Sequence, residues 1–292
     1  MTSGETVAAI VEAHRAGASP EASVARAYAR IRAHADPAIF ITLRDEAAAL
    51  AEAKALAARR AADRALADLP LYGVPVAVKD NIDVEGLPTT AACPAFAYTP
   101  AKDATCVARL RHAGAIVIGK TNLDQFATGL VGVRTMMGAA PEAMHPVTRQ
   151  IILAGAKISA ADAFAAFYRL EELRHVCEAT FRSMDAMALP TVPTVYTVEQ
   201  VLADPVALNS RLGTYTNFVN LLDLCALALP AAMRTDGTPF GITFVAPAGE
   251  DAALASIGRA FHAATALPLG ATGAPQPALA QKARVSVKAG MS

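Results

Sequence analysis

Lys79 is the residue best placed to do chemistry. It closes the compact apolar run Val74-Pro75-Val76-Ala77-Val78, with Gly73 before it and Asp80-Asn81 after it. The run reads as a buried strand ending in a polar tip. The ends of parallel strands are where a ligand crevice forms. A lysine partly withdrawn from water holds its proton less tightly and can act as a base near neutral pH. The same position also suits a strand-end lysine paired with Asp80 or Asp83. Position alone leaves both readings open.

Other reactive side chains are dispersed. Six histidines (His14, His34, His112, His145, His175 and His262) show no ligand spacing. The four cysteines, Cys93, Cys106, Cys177 and Cys225, form no C-x-x-C pair and no Cys/His cluster, so no metal site is expected. They read as reduced, mostly buried thiols in a cytoplasmic protein. Cys106 falls in the first turn of a helix, but no base lies near it in sequence, so burial is expected there too. No nucleotide fingerprint appears, and no cofactor is implied.

The elements around Lys79 alternate. Ser19-Pro20-Glu21 starts a helix, with a capping hydroxyl, proline at the first helical position and an acid in the first turn. That helix should stop at Asp36-Pro37. Residues 38–43 (AIFITL) are β-rich, and 45–68 form an Ala-rich solvated helix. Asp103 is positioned to cap a helix ending at Gly114. A second apolar run, Ala115-Ile116-Val117-Ile118, ends at Gly119-Lys120-Thr121-Asn122. A strand, a helical crossover and another strand predict parallel pairing.

Farther on, Ser159 to about Met187 is helical. Phe164, Phe167, Leu170 and Leu173 stand at helix spacing, and the two phenylalanines are expected in the core. Leu189 to Thr194 is extended by its prolines. Residues 217–229 are apolar and expected to be buried. Asp236-Gly237 is a turn, 240–245 a strand and 251–264 an amphipathic helix. The predicted domain covers 1–269. Residues 270–292, rich in Gly, Pro, Ala and Gln, read as a loose tail.

With 292 residues and 54% hydrophobic composition, the chain can build a large core. Lys plus Arg and Asp plus Glu both total 26. A net charge of zero argues against nucleic acid or an acidic membrane as partner. The stretch from Leu221 to Met233, broken by Asp223 and Pro230, is too short to span a bilayer.

The strings GVPVAVKDNIDVEGLPTT and GAIVIGKTNLDQFA resemble the start of the amidase signature domain, in the order and spacing of that family. DQFATGLVGVRT, and later LNSRLGTYTNFVNLLDL and DGTPFGITFVAP, resemble the allophanate hydrolases within it. The resemblance implies an α/β fold with a mixed sheet flanked by helices. It implies a Ser–cis-Ser–Lys site, in which a neutral lysine deprotonates a bridging serine that activates a nucleophilic serine. Backbone N–H groups of a Gly-rich loop would hold the oxyanion. Lys79 matches the lysine. Gln125, Thr128 and Gly129 match the segment lining the pocket. Arg211 falls in the NSRLG segment, where the resemblance implies a contact to a substrate carboxylate. A guanidinium fork can grip such a group bidentately, although a surface ion pair would suit Arg211 as well. The implied substrate is a small urea-derived amide bearing a carboxylate, cleaved to ammonia and carbon dioxide.

The family pattern is interrupted after Thr135. There MMGAAPEAMHPVTRQ already resembles the late region, which places an internal deletion near Thr135–Met136. The serines are Ser3, Ser19, Ser23, Ser159, Ser183, Ser210, Ser256, Ser286 and Ser292. None stands in a Gly-rich context, and Ser19 and Ser159 read as helix caps. A sheet cut in this way leaves edges and apolar surface open, through which copies of the chain can associate.

Overall fold

The computed structural model describes residues 6–132, 134 and 144–267. The Thr135–Met136 junction and the 270–292 tail lie outside them. The first elements are α1 (Val7–Arg15), α2 (Pro20–His34), β1 (Phe40–Leu43), α3 (Glu46–Ala62) and β2 (Pro75–Lys79). Then come α4 (Thr105–His112), β3 (Ile116–Thr121), α5 (Pro146–Ala154), α6 (Ala160–Phe181) and β4 (Met187–Pro190). The chain continues through α7 (Val198–Ala203), α8 (Ala207–Leu212), α9 (Asn217–Leu221), β5 (Leu224–Met233), β6 (Pro239–Pro247) and α10 (Asp251–Thr265). No single helix among the described residues is long and apolar enough to cross a membrane.

The described chain divides into two compact units. The larger comprises Glu5–Leu173 and Val192–Asn217. Its sheet has the order β1-β3-β2, with β2 parallel to β3 and β1 antiparallel. This is the parallel pair that the alternating pattern predicts, within the mixed sheet that the family resemblance implies. The central strand, β3, is buried on both faces, as a parallel strand covered on each side should be. On one face Ile116 and Ile118 pack with Val24, Tyr28, Ala49 and Ala53 of α2 and α3. On the other, Val117 packs with Val78, Val84 and Val107. Ser19 caps α2 by accepting the Glu21 N–H at 3.1 Å, and Ala35 ends it in the left-handed conformation.

One tight turn positions β2. Gly73 has φ +70°, and a Cβ there would lie 2.7 Å from His14 Nδ1 and 2.9 Å from Pro20 Cβ. His14 is fully buried. Its Nδ1 donates to the Tyr72 carbonyl at 2.8 Å, and its Nε2 lies 2.9 Å from Ser23 Oγ. A carbonyl only accepts, so the proton sits on Nδ1. Gly73→Ala is expected to cost about 2–3 kcal/mol, because the new methyl meets both a disfavoured left-handed φ and a fixed ring. Chemical denaturation measures it. A change under about 0.5 kcal/mol would mean that α1 moves aside freely.

The smaller unit comprises Arg174–Thr191 and the described part of Phe218–Ser292. It is an antiparallel sheet of order β4-β6-β5, with α10 packed on β5 and β6. β6 and α10 fall where the sequence predicts a strand and an amphipathic helix.

Four expectations are corrected. Asp103 does not cap α4, whose N-cap residue is Ala104. Asp103 instead accepts the Glu85 N–H at 2.8 Å and pairs with Arg111 at 3.0 Å. Phe164 and Phe167 are not core; they are 61% and 62% exposed, on a stretch of α6 where only Ala163 and Leu170 are even half-buried. Residues 217–229 are half-exposed rather than buried, and they divide into α9 and the first part of β5. Of the cysteines only Cys93 is buried, and Cys106 is exposed.

Candidate functional site

Lys79 is the last residue of β2, as predicted, but its side chain is exposed. β2 is an edge strand among the described residues. Residues alternate across a strand, so Lys79 shares its face with exposed Ala77, while Val78 and Asp80 are buried. The partial withdrawal from water expected for Lys79 is absent. No ion pair joins it to Asp80 or Asp83 among the described residues. Asp83 accepts from Thr89 Oγ1 at 2.9 Å and from the Tyr98 hydroxyl at 2.7 Å.

Asp80 is held elsewhere. Its Oδ2 accepts the Thr90 N–H at 3.0 Å and the Thr90 hydroxyl at 2.5 Å. Its Oδ1 lies 3.4 Å from Lys120 Nζ, and both side chains are fully buried. Lys120 Nζ also donates to the Pro88 carbonyl and to Thr89 Oγ1, each at 3.0 Å. Burial pushes the Lys120 pKa down, and the Asp80 charge opposes that shift. The buried lysine of this site is therefore Lys120, and it braces the tip that follows Lys79. Its signal in sequence is a charge within the apolar run 115–120.

The brace continues through two strained turns. Ala91 and Ala92 have φ of +50° and +58°, and Phe126 and Ala127 have +54° and +55°. Left-handed backbone at residues other than glycine is costly and persists only where the surroundings impose it. Here the two turns grip each other. The Phe126 N–H donates to the Ala91 carbonyl at 2.9 Å, and Gln125 Nε2 to the Ala92 carbonyl at 3.4 Å. Gln125 is fully buried, and its Oε1 accepts the His145 N–H at 2.8 Å.

Thr128 Oγ1 donates to the Gln125 carbonyl at 2.9 Å and lies 3.2 Å from Thr148 Oγ1. Gly129 is required by contact, since a Cβ there would sit 2.3 Å from Asp124 Oδ2. Asp124 closes the loop by accepting the N–H groups of Val131, Gly132 and Arg134 at 3.0, 3.1 and 2.7 Å. Arg134 is buried; it donates to the Thr128 carbonyl at 2.7 Å and to the Pro205 carbonyl. Asp124 and Arg134 fall inside the string DQFATGLVGVRT, but the string does not show their roles, because their partners are mostly backbone groups.

The same unit brings the late segment to this loop. Asn209 Oδ1 of α8 accepts the Leu130 N–H at 2.7 Å. Arg211, two residues on, is exposed, and its Nη1 donates to the Tyr196 hydroxyl at 3.2 Å. Gln125, Thr128 and Gly129 thus share one loop, the Arg211 helix is tied to its end, and Lys79 connects to it through Asp80 and Thr90. The described serines have other partners or places. Ser159 Oγ accepts the Asp162 N–H at 3.1 Å, as a cap, and Ser183 Oγ donates to the Thr180 carbonyl at 2.9 Å. Ser210 and Ser256 lie within α8 and α10. No group of three or more potential metal ligands occurs among the described residues.

Comparison with known proteins places this arrangement. The family model described as Amidase matches residues 22–146 and 140–255. Urea amidolyase from Saccharomyces cerevisiae is 27% identical over 379 positions, covering 66% of this chain and 21% of that protein. The chain thus spans about a fifth of the length of this relative. Urea amidolyase from Lachancea kluyveri is likewise 27% identical over 379 positions, with the same shares of the two chains. Among solved structures, allophanate hydrolase from Kluyveromyces lactis superposes with a TM-score of 0.77 at 23% identity. That match covers 91% of this chain and 74% of the other, and it speaks for the fold. On the two matched segments and this fold, the chain belongs to the amidase family.

Proposed function

We propose that this chain is an allophanate hydrolase-type amidase scaffold that binds a small carboxylate and lacks the serine pair needed to hydrolyse an amide. The lineage chemistry is cleavage of the C–N bond of a small urea-derived carboxylate to ammonia and carbon dioxide. In this reading Lys79 is the inherited base, Gln125, Thr128 and Gly129 line the pocket, and Arg211 meets the carboxylate. The observation that carries it is the exposed Lys79 with no serine bonded to it among the described residues. Cytoplasmic residence and the internal deletion near Thr135–Met136 belong to the same proposal. The deletion is supported by an alignment 379 positions long, which exceeds the whole 292-residue chain while using 66% of it.

Malonate tests the binding half. At a concentration 100-fold above Kd, ligand bound only by the folded state stabilises it by about 2.7 kcal/mol. We expect a rise in Tm with malonate and none in Arg211→Ala. An absent shift in the wild-type chain, or an equal shift in the variant, would remove the carboxylate role.

A further inference from the structure

We infer that the larger unit is an acceptor for a separate polypeptide that carries the intervening part of an amidase domain. The inference rests on the internal deletion proposed above. Two surfaces in this unit lack the cover that their residues require. The first is formed by α5, the turn after it and α6. Ile152, Leu153, Ile158, Phe164, Phe167 and Tyr168 are between 44% and 69% exposed. Exposed apolar area on this scale marks an interaction surface. Over residues 160–173 only Ala163 and Leu170 are even half-buried. A helix apolar on several sides needs neighbours on several sides, which a single twofold contact with another copy does not provide.

The second surface is β2. Its apolar run has the composition of an interior parallel strand, yet its outer edge carries no strand among the described residues and Ala77 is exposed. Both surfaces therefore call for cover: a strand beside β2 and packing around α6.

The relatives indicate what belongs there. The two segments matched by the family model meet at residues 140–146. The yeast relative carries extra aligned polypeptide within the stretch it shares with this chain. The flanks are meanwhile already docked on each other, through Gln125–His145, Thr128–Thr148 and Leu130–Asn209. The acceptor is thus pre-organised, and binding need not order it first.

The test co-expresses the full chain with the segment of the Saccharomyces cerevisiae urea amidolyase that has no counterpart in this chain within their shared stretch. Co-purification as a one-to-one complex is expected, with hydrogen-exchange protection gained over residues 151–168. Phe164→Asp with Phe167→Asp should weaken the complex at least about tenfold, while exposed Arg59→Ala should not. No complex, or one indifferent to the double variant, would overturn the inference. So would a homodimer of the chain that already protects 151–168. Ammonia release is a separate readout. A complex that forms without turnover leaves the docking intact and counts against Lys79 as the inherited base.

Discussion

Purified chain is expected to release no ammonia from allophanate above the buffer rate. Removal of a serine nucleophile from a hydrolase costs about a million-fold in kcat, and the proposed reading gives this chain neither of the serines that the family resemblance implies. A base must lie within hydrogen-bond reach of the proton it takes. Lys79 ends an edge strand with its side chain in solvent, and no described serine bonds to it. Ser23, the buried serine, is held by His14 and Arg26. Lys79→Ala should therefore leave the background rate unchanged. Turnover within tenfold of the yeast urea amidolyase, abolished by Lys79→Ala, would show that the nucleophile comes from a residue assigned no such role here.

Asp80→Ala is expected to cost about 3–5 kcal/mol. Breaking one side of a buried ion pair leaves the other charge without compensation, and Lys120 has no exposed surface through which water can replace the carboxylate. The change also frees the Thr90 N–H and hydroxyl, both held by Asp80 Oδ2. Asp80→Asn with Lys120→Met should recover part of the loss, because the double change removes both charges. A cost below about 1 kcal/mol for Asp80→Ala would mean that the strand tip relaxes and hydrates.

The same lysine sets a pH dependence. Its folded-state pKa lies below the free value of 10.5, with burial the leading cause. Between those two values the unfolded chain binds more protons than the folded one, so stability rises with pH there. Below the folded-state pKa the contribution is constant and unfavourable. Lys120→Met should remove this rise, seen as a flatter urea midpoint against pH on the alkaline side. An unchanged slope would place the titration elsewhere.

Much of the larger unit's local structure is legible in the residues. The Ser19 cap, the parallel β2 and β3, and the Ser159 cap all depend on short-range rules of capping and periodicity. Lys79 ends a strand, as its flanking residues indicate. The misreadings share one cause. Phe164, Phe167 and the 217–229 stretch are apolar enough for a core, but burial depends on what packs beside an element. Asp103 fails as a cap because Glu85 N–H and Arg111, distant in sequence, compete for it.

Lys79 and its neighbours show where the division falls. The amino-acid sequence by itself determined the lineage, the order α2, β1, α3, β2, α4 and β3 in the larger unit, and the want of a serine in a Gly-rich setting, since motif spacing and residue types are written along the chain. Only the tertiary structure decided which lysine is buried. β3 is covered on both faces, so Lys120 at its end leaves water and must take Asp80 as its counter-ion. Among the described residues β2 has a neighbouring strand on one side only, and Lys79 remains in solvent. Burial comes from neighbours that the chain assembles in space, and among the described residues the side of β2 that would cover Lys79 has none.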